Sequence, residues 1–348
     1  MQVRRKVSIV AMTAAATVGV VVAPALAATT PLPTDLTGPS VTWQGFDNWL
    51  APDESVAGCT SLDHEIATGD YLSGYGPQEA FTPGTTDGFD TYALVTVEGT
   101  YFLNPDNDVD VANNTVTSDT RTMSGLDVTI QHTALQTQPI LRTLVKLTNN
   151  TDAALSRTVT FEQDLGSDAD TWIQQTSSGD AAWTAADRWA ITSQTNDAPF
   201  EDPVIGTVLY GPGAIASPMV SLDLCGERWD ATSLQAKAAA KPRAQTAATP
   251  QAAGTGGAGT QAVASVAAQT SSAHFYVTVP AGETRYLAFF NSATTDESVA
   301  PAEALTPLYD AGLTGALAEG LDPAIIPNVV NWSPAPEVPV VIAPTFTG

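Results

Sequence analysis

Asp164, Asp168 and Asp170, with Asp180 a little further on, gather several carboxylates after one β-rich stretch. Calcium takes about six to eight oxygens from carboxylates and backbone carbonyls, so Asp164, Asp168 and Asp170 are candidate metal ligands, and calcium is the one cofactor the residues suggest. The competing reading is that Asp simply favours loops and turn starts. Asp106, Asp108 and Asp110 copy the opening of an EF-hand loop, but Val111 stands where the sharp turn needs Gly and Thr117 where a bidentate Glu belongs. Of the three histidines, His64 is not followed by the second His of a zinc-protease helix. His132 falls on the apolar side of an alternating run, which suits a core histidine as well as a general base. Glycoside hydrolysis would need two opposed carboxylates; Glu162 or Asp164 could supply one, and among 37 acidic residues nothing singles out the other. Trp172, Trp183 and Trp189 crowd around polar segments. Exposed Trp172 and Trp183 rings would stack on sugars; the alternative packs Trp189 in the core with the other two capping its edge. The glycines from Gly254 to Gly259 spell a dinucleotide-binding pattern with no strand before it and no helix after it, so they carry no such function.

These residues need a scaffold, and the scaffold reads as all-β. Residues 92–103, 115–122, 125–135, 140–148, 156–164, 188–194 and 204–210 are short runs rich in Val, Thr, Ile and aromatics, parted by Asn, Asp, Gly and Pro. Within 125–135, Leu126, Val128 and Ile130 share one face, while Asp127, Thr129 and Gln131 share the other. The spacing predicts a large antiparallel β-sandwich, supersandwich-like in scale. Residues 140–148 and 156–164 flank the turn-rich Asn149–Asp152 stretch and read as a hairpin that sets Arg142 opposite Glu162 as a cross-strand ion pair.

Residues 235–272 lack aromatics and periodicity. They read as a disordered insertion, because so little apolar surface cannot offset the entropy of ordering. Strand chemistry resumes around the turn at Pro280–Glu283, and a hairpin alone is marginal in water, so these strands should join the earlier sandwich. Residues 301–331 read as a short C-terminal helical segment, with Asp322 as N-cap and Pro323 at the first helical position. The expected organisation is an N-terminal segment, 28–90, packing on one sandwich built from 91–234 and 273–332, with a Pro-rich tail at 333–348.

Arg4, Arg5 and Lys6, an apolar run over 7–22 and the Ala25-Leu26-Ala27 triplet predict a signal peptide at 1–27. The mature chain is then expected to be secreted and extracellular, with no membrane insertion after signal removal. Losing those three cations makes the formal charge of −24 more negative still. No basic stripe remains to displace counterions from phosphates, which excludes nucleic acid and anionic lipid as partners. The two cysteines, Cys59 and Cys225, in an oxidising compartment read as one disulfide, which chain entropy values at on the order of 5 kcal/mol for so long a loop; two buried free thiols are the alternative.

The block Leu141-Arg142-Thr143-Leu144-Val145, Leu147-Thr148-Asn149-Asn150-Thr151, Asp164-Leu165-Gly166-Ser167-Asp168 and Ala186-Asp187-Arg188-Trp189, followed by Tyr210-Gly211-Pro212-Gly213, Pro280-Ala281-Gly282-Glu283 and Val329-Val330-Asn331-Trp332, resembles a group of uncharacterised secreted bacterial β-sandwich proteins. They often occur beside extracellular repeat or adhesive modules. The resemblance covers most of the chain from about residue 91 and implies no agreed activity or catalytic residue. The leading expectation is a secreted non-enzymatic surface or matrix module whose partner is an extracellular protein or glycan. The alternative is a carbohydrate-active protein (a sugar-binding module, glycosidase or mutarotase-like enzyme) using His132, Glu162 or Asp164.

Overall fold

The computed structural model describes residues 28–52, 71–77, 79–85, 87–105, 108–167, 171–194, 198–212, 219–225, 270–295 and 297–332. Residues 1–27, expected to be a signal peptide, together with Cys59, His64, Asp106, Asp168, Asp170, Gly254–Gly259, residues 333–348 and most of 235–272, lie outside these residues, as does the side chain of Cys225.

The described chain is an antiparallel β-sandwich. Its five-stranded sheet runs β17 (Met219–Cys225), β18 (Thr270–Val279), β13 (Leu155–Leu165), β6 (Phe89–Val97) and β7 (Thr100–Tyr101). Facing it, the ten-stranded sheet runs β1 (Ala28–Pro31), β8 (Asp108–Ala112), β9 (Thr115–Thr117), β11 (Leu126–Ala134), β12 (Ile140–Thr148), β19 (Thr284–Thr294), β16 (Val204–Val208), β15 (Trp189–Ser193) and β14 (Trp172–Thr176), with β10 (Arg121–Met123) also on β11. A small sheet of β2 (Thr34–Gly38), β3 (Val41–Pro52), β4 (Tyr71–Gly76) and β5 (Glu79–Phe81) packs Trp43 and Phe46 into the same interior. Alternation explains the burial. In β11, Leu126, Val128 and Ile130 are buried and Asp127, Thr129 and Gln131 are not. Between the sheets, Phe161 of β13 stacks on Phe289 of β19 with ring centroids 4.1 Å apart.

The expected hairpin of residues 140–148 and 156–164 is absent. β12 pairs with β11 and β19, whereas β13 pairs with β18 and β6, so residues 149–154 arch from one sheet to the other. Residues 280–283 form a second arch beside the first, linking β18 to β19. Asn149 joins the two corners: its backbone N–H donates to Glu283 O (2.9 Å), and its side-chain amide donates to Ala153 O (2.8 Å) and Val279 O (2.9 Å). Arg142 therefore never meets Glu162. Its register partners are Thr133 and Phe290, and its buried guanidinium donates to Leu317 O (3.3 Å) and Glu319 O (2.6 Å). Burial lowers its pKa to about 10, against the opposing pull of Glu319.

Those carbonyls belong to a third layer. The C-terminal segment covers the outer face of the ten-stranded sheet with Leu305, Tyr309, Leu317, Val329 and Trp332, packed on Ile140, Trp189, Val204 and Phe290. It is less helical than the reading of 301–331 suggests. Only α1 (Ala300–Glu303) and α2 (Thr306–Asp310) form, followed by single 3-10 turns at Gly315–Ala318 and Ile326–Asn328. Pro301, Pro307 and Pro327 sit at the starts of these elements, and Gly312, Gly315 and Gly320 adopt positive φ between them, so no helix can propagate. Asp322 does cap its turn, accepting from Ala324 N at 2.9 Å. Among the described residues no helix is long and apolar enough to cross a membrane.

Candidate functional site

Strand β13 alternates between two chemistries. Val159, Phe161 and Leu165 enter the core, while Thr160, Glu162 and Asp164 turn to the outer face of the five-stranded sheet. Pairing brings Ser272 of β18 beside Glu162, and Asp223 of β17 beside Ser272. Ser272 Oγ donates to Glu162 Oε1 at 3.1 Å and lies 3.3 Å from His274 Nε2. The same Nε2 is 3.0 Å from Asp223 Oδ2, and His274 Nδ1 is 3.1 Å from Thr160 Oγ1. One row further, Thr270 Oγ1 donates to Asp164 Oδ1 at 3.0 Å. Glu162 is fully buried, and among the described residues its Oε2 finds no hydrogen bond. Burial pushes its pKa up to about 7, the Ser272 hydrogen bond opposes this, and the nearby Asp223 charge adds to it.

This group holds a serine, a histidine and an aspartate, yet it is not wired as a nucleophilic triad. A relay needs the base to receive the hydroxyl proton on one ring nitrogen while the carboxylate orients the other. Here Ser272 and Asp223 share Nε2, and Nδ1 is spent on Thr160. Ser272 is buried as well.

His132 is not part of the group. It lies in the inter-sheet interior, its ring packed on Phe46 at 5.3 Å, and its Nδ1 is 3.0 Å from Thr143 Oγ1. That hydroxyl starts a buried polar chain. Tyr92 OH lies 2.9 Å from it and donates to Asn291 Oδ1 (3.0 Å), and Asn291 donates in turn to Gln163 Oε1 (2.7 Å) and Thr207 Oγ1 (3.0 Å). His132 and the two carboxylates therefore do not converge, because the alternation of β13 sends Gln163, which joins the His132 chain, and Glu162 and Asp164 to opposite faces.

Of the expected calcium ligands, Asp164 lies in this row on β13, and Asp168 and Asp170 lie outside the described residues. Among the described residues no three of His, Cys, Asp and Glu group closely enough to hold a metal ion. Asp180 is exposed and accepts from Ala182 N and Thr176 Oγ1, each at 3.0 Å, which lowers its pKa. The buried Asp187 likewise accepts from the backbone N–H groups of Ser178 (3.1 Å) and Thr184 (3.0 Å). Asp108 and Asp110 lie on strand β8, not in a cation-binding loop. Trp183 is 6% exposed and belongs to the inter-sheet core, so its ring has no face free for a sugar; Trp172 is half-buried on the edge strand β14. Trp189 packs in the outer core and donates Nε1–H to Asp310 at 3.1 Å.

The large apolar side chains that do meet solvent among the described residues are Tyr276, 60% exposed, and Val220, 62% exposed. Both lie on the outer face of the five-stranded sheet. Tyr276 alternates with the buried Phe275 and Val277 on β18. A bulge between Met219 and Ser221 turns Val220 outward on the edge strand β17. The alternation His274, Tyr276, Thr278 was legible in the sequence as one face of a strand. Asp223 and Ser272 were not, because only strand pairing brings them there, and Ser272 opens a strand that begins at Thr270, inside the segment read as disordered.

No family model and no curated protein matches the sequence. Among solved structures, one described as a polysaccharide lyase is similar at a TM-score of 0.36 and 11% identity, over 74% of this chain and 33% of its own. The chain spans about a third of that protein's length, and nothing about activity follows from so distant a likeness.

Proposed function

We propose that this protein is a secreted, non-enzymatic extracellular module that binds its partner through the outer face of the five-stranded sheet. The observation that carries the reading is the division of labour across β13 and β18. Glu162, Asp164 and His274 of that face are buried and hydrogen-bonded along the strands, Asp223 is part-exposed on the edge strand, and Tyr276 and Val220 meet solvent. A catalytic reading needs acid and base converging on an accessible reacting atom; a binding reading needs an accessible contact surface. The charge of −24 favours solubility outside the cell and disfavours polyanionic partners.

The test is retention on extracellular surfaces. The protein should be found in culture medium with its N-terminus at Ala28 and should adsorb to cell-envelope preparations of the source organism. Tyr276→Ala with Val220→Ser should lose that adsorption at an unchanged melting temperature. A glycoside-cleaving activity abolished by Glu162→Gln would overturn the reading in favour of an enzyme.

A further inference from the structure

We infer that the ligand of this face is an uncharged polysaccharide chain, seated on the Tyr276 ring and hydrogen-bonded by the hydroxyls around it. The inference rests on the proposed binding role of the face and names its ligand class. Thr158 of β13 is the register partner of Tyr276, and Ser156 is that of Thr278. Ser156 Oγ and Thr278 Oγ1 lie 2.8 Å apart, and each hydroxyl keeps lone pairs for a further bond. Glu98 adds a carboxylate at the same end, its Oε1 accepting from Thr158 N at 2.6 Å. The strip is therefore one exposed aromatic face flanked by short hydroxyl side chains, which matches the alternating apolar and hydroxylated faces of a pyranose. Arg157, between Ser156 and Thr158, is turned to the carbonyls of Ser124 (2.7 Å) and Ser156 (2.8 Å) and offers the strip no cation.

Area and charge favour this class over the others. A stable protein partner needs roughly 800 Å² per side with an apolar centre, and the two large apolar side chains exposed among the described residues do not supply one. A single ring is enough for one sugar. An acidic polysaccharide would meet Glu98 and a chain of charge −24, and among the described residues no cation is turned to the strip.

Affinity electrophoresis of the purified protein tests this, in gels cast with hydroxyethyl cellulose, xylan, glucomannan or dextran, and with polygalacturonate as the anionic control. At least one neutral polysaccharide should retard the protein. Retardation should weaken about tenfold or more in Tyr276→Ala, the loss of an aromatic anchor, and should persist in Tyr276→Trp, while polygalacturonate leaves mobility unchanged. Retardation by none of the neutral polymers, equal retardation of Tyr276→Ala, or retardation by polygalacturonate would overturn the inference. Envelope preparations separate this failure from that of the binding role. Tyr276-dependent adsorption that survives periodate oxidation but not protease treatment assigns the face to a protein partner, sinking the glycan and leaving the binding role intact. No Tyr276-dependent adsorption to any envelope sinks both.

Discussion

Glu162 shows how a single side chain can set the pH response of a fold. Its carboxyl is moved from 4.5 in the unfolded chain to about 7 in the fold, so between those values the folded state holds a proton that the unfolded state has released. Stability therefore falls as pH rises through this window, and the loss is complete above it. At about 1.4 kcal/mol per pH unit the total is about 3 kcal/mol. Glu162→Gln keeps the acceptor for Ser272 and removes the charge. Urea unfolding at pH 5 and pH 8 should find the variant close to the native protein at the lower pH and more stable at the higher. A native protein that gains stability between pH 5 and pH 8 would contradict this assignment. The position of Glu162 was visible in the sequence, but its environment was not, because Ser272 and Asp223 lie far along the chain.

At the scale of elements, the paired arches and the C-terminal layer each depend on one residue. Removing the Asn149 side chain leaves the buried Val279 O without its donor, at a cost of about 1–3 kcal/mol, and also breaks the part-buried bond to Ala153 O. Asn149→Ala should therefore lower stability by about 2–4 kcal/mol in chemical denaturation, while Asn150→Ala, whose amide reaches only the exposed Asp127 carboxylate, should change it by less than about 1 kcal/mol. Gly211 plays a different part. A Cβ there would sit 2.2 Å from the Trp332 ring. That ring packs at the end of the C-terminal layer and donates Nε1–H to Ala288 O at 2.7 Å. Gly211→Ala should undock this segment, read as faster amide exchange over 299–332 with the five-stranded sheet unchanged. The central strands were legible from alternation and turn residues, whereas β8, β14, β17 and the strands of 28–81 were not. The arches were not, since Asn149-Asn150-Thr151-Asp152 serves a hairpin or an arch equally well at short range.

For the whole molecule, the two sheets share one interior that draws on both sides of the long segment between Cys225 and Thr270. β18 and β19 are laid between strands formed earlier in the chain: β18 between β13 and β17, β19 between β12 and β16. A protease site inserted between residues 245 and 255 and cleaved should leave the two pieces associated on size-exclusion chromatography without denaturant. Their separation would show that the sheets do not hold together across the cut.

The amino-acid sequence by itself determined the all-β class, the positions of the central strands such as β11, β12, β13 and β19, and which residues of those strands face the same way, because a period of two is a local property of the chain; the strands of 28–81 and β8, β14 and β17 carried no such legible run. It also placed the turns, through Asn, Asp, Gly and Pro. Only the tertiary structure decided that β12 and β13 part into opposite sheets, that Arg142 caps the C-terminal carbonyls, and that His132 and Glu162 occupy opposite faces. Those outcomes rest on contacts such as Asn149 with Val279 and Arg142 with Glu319, between residues more than a hundred positions apart, where no local pattern records the partner.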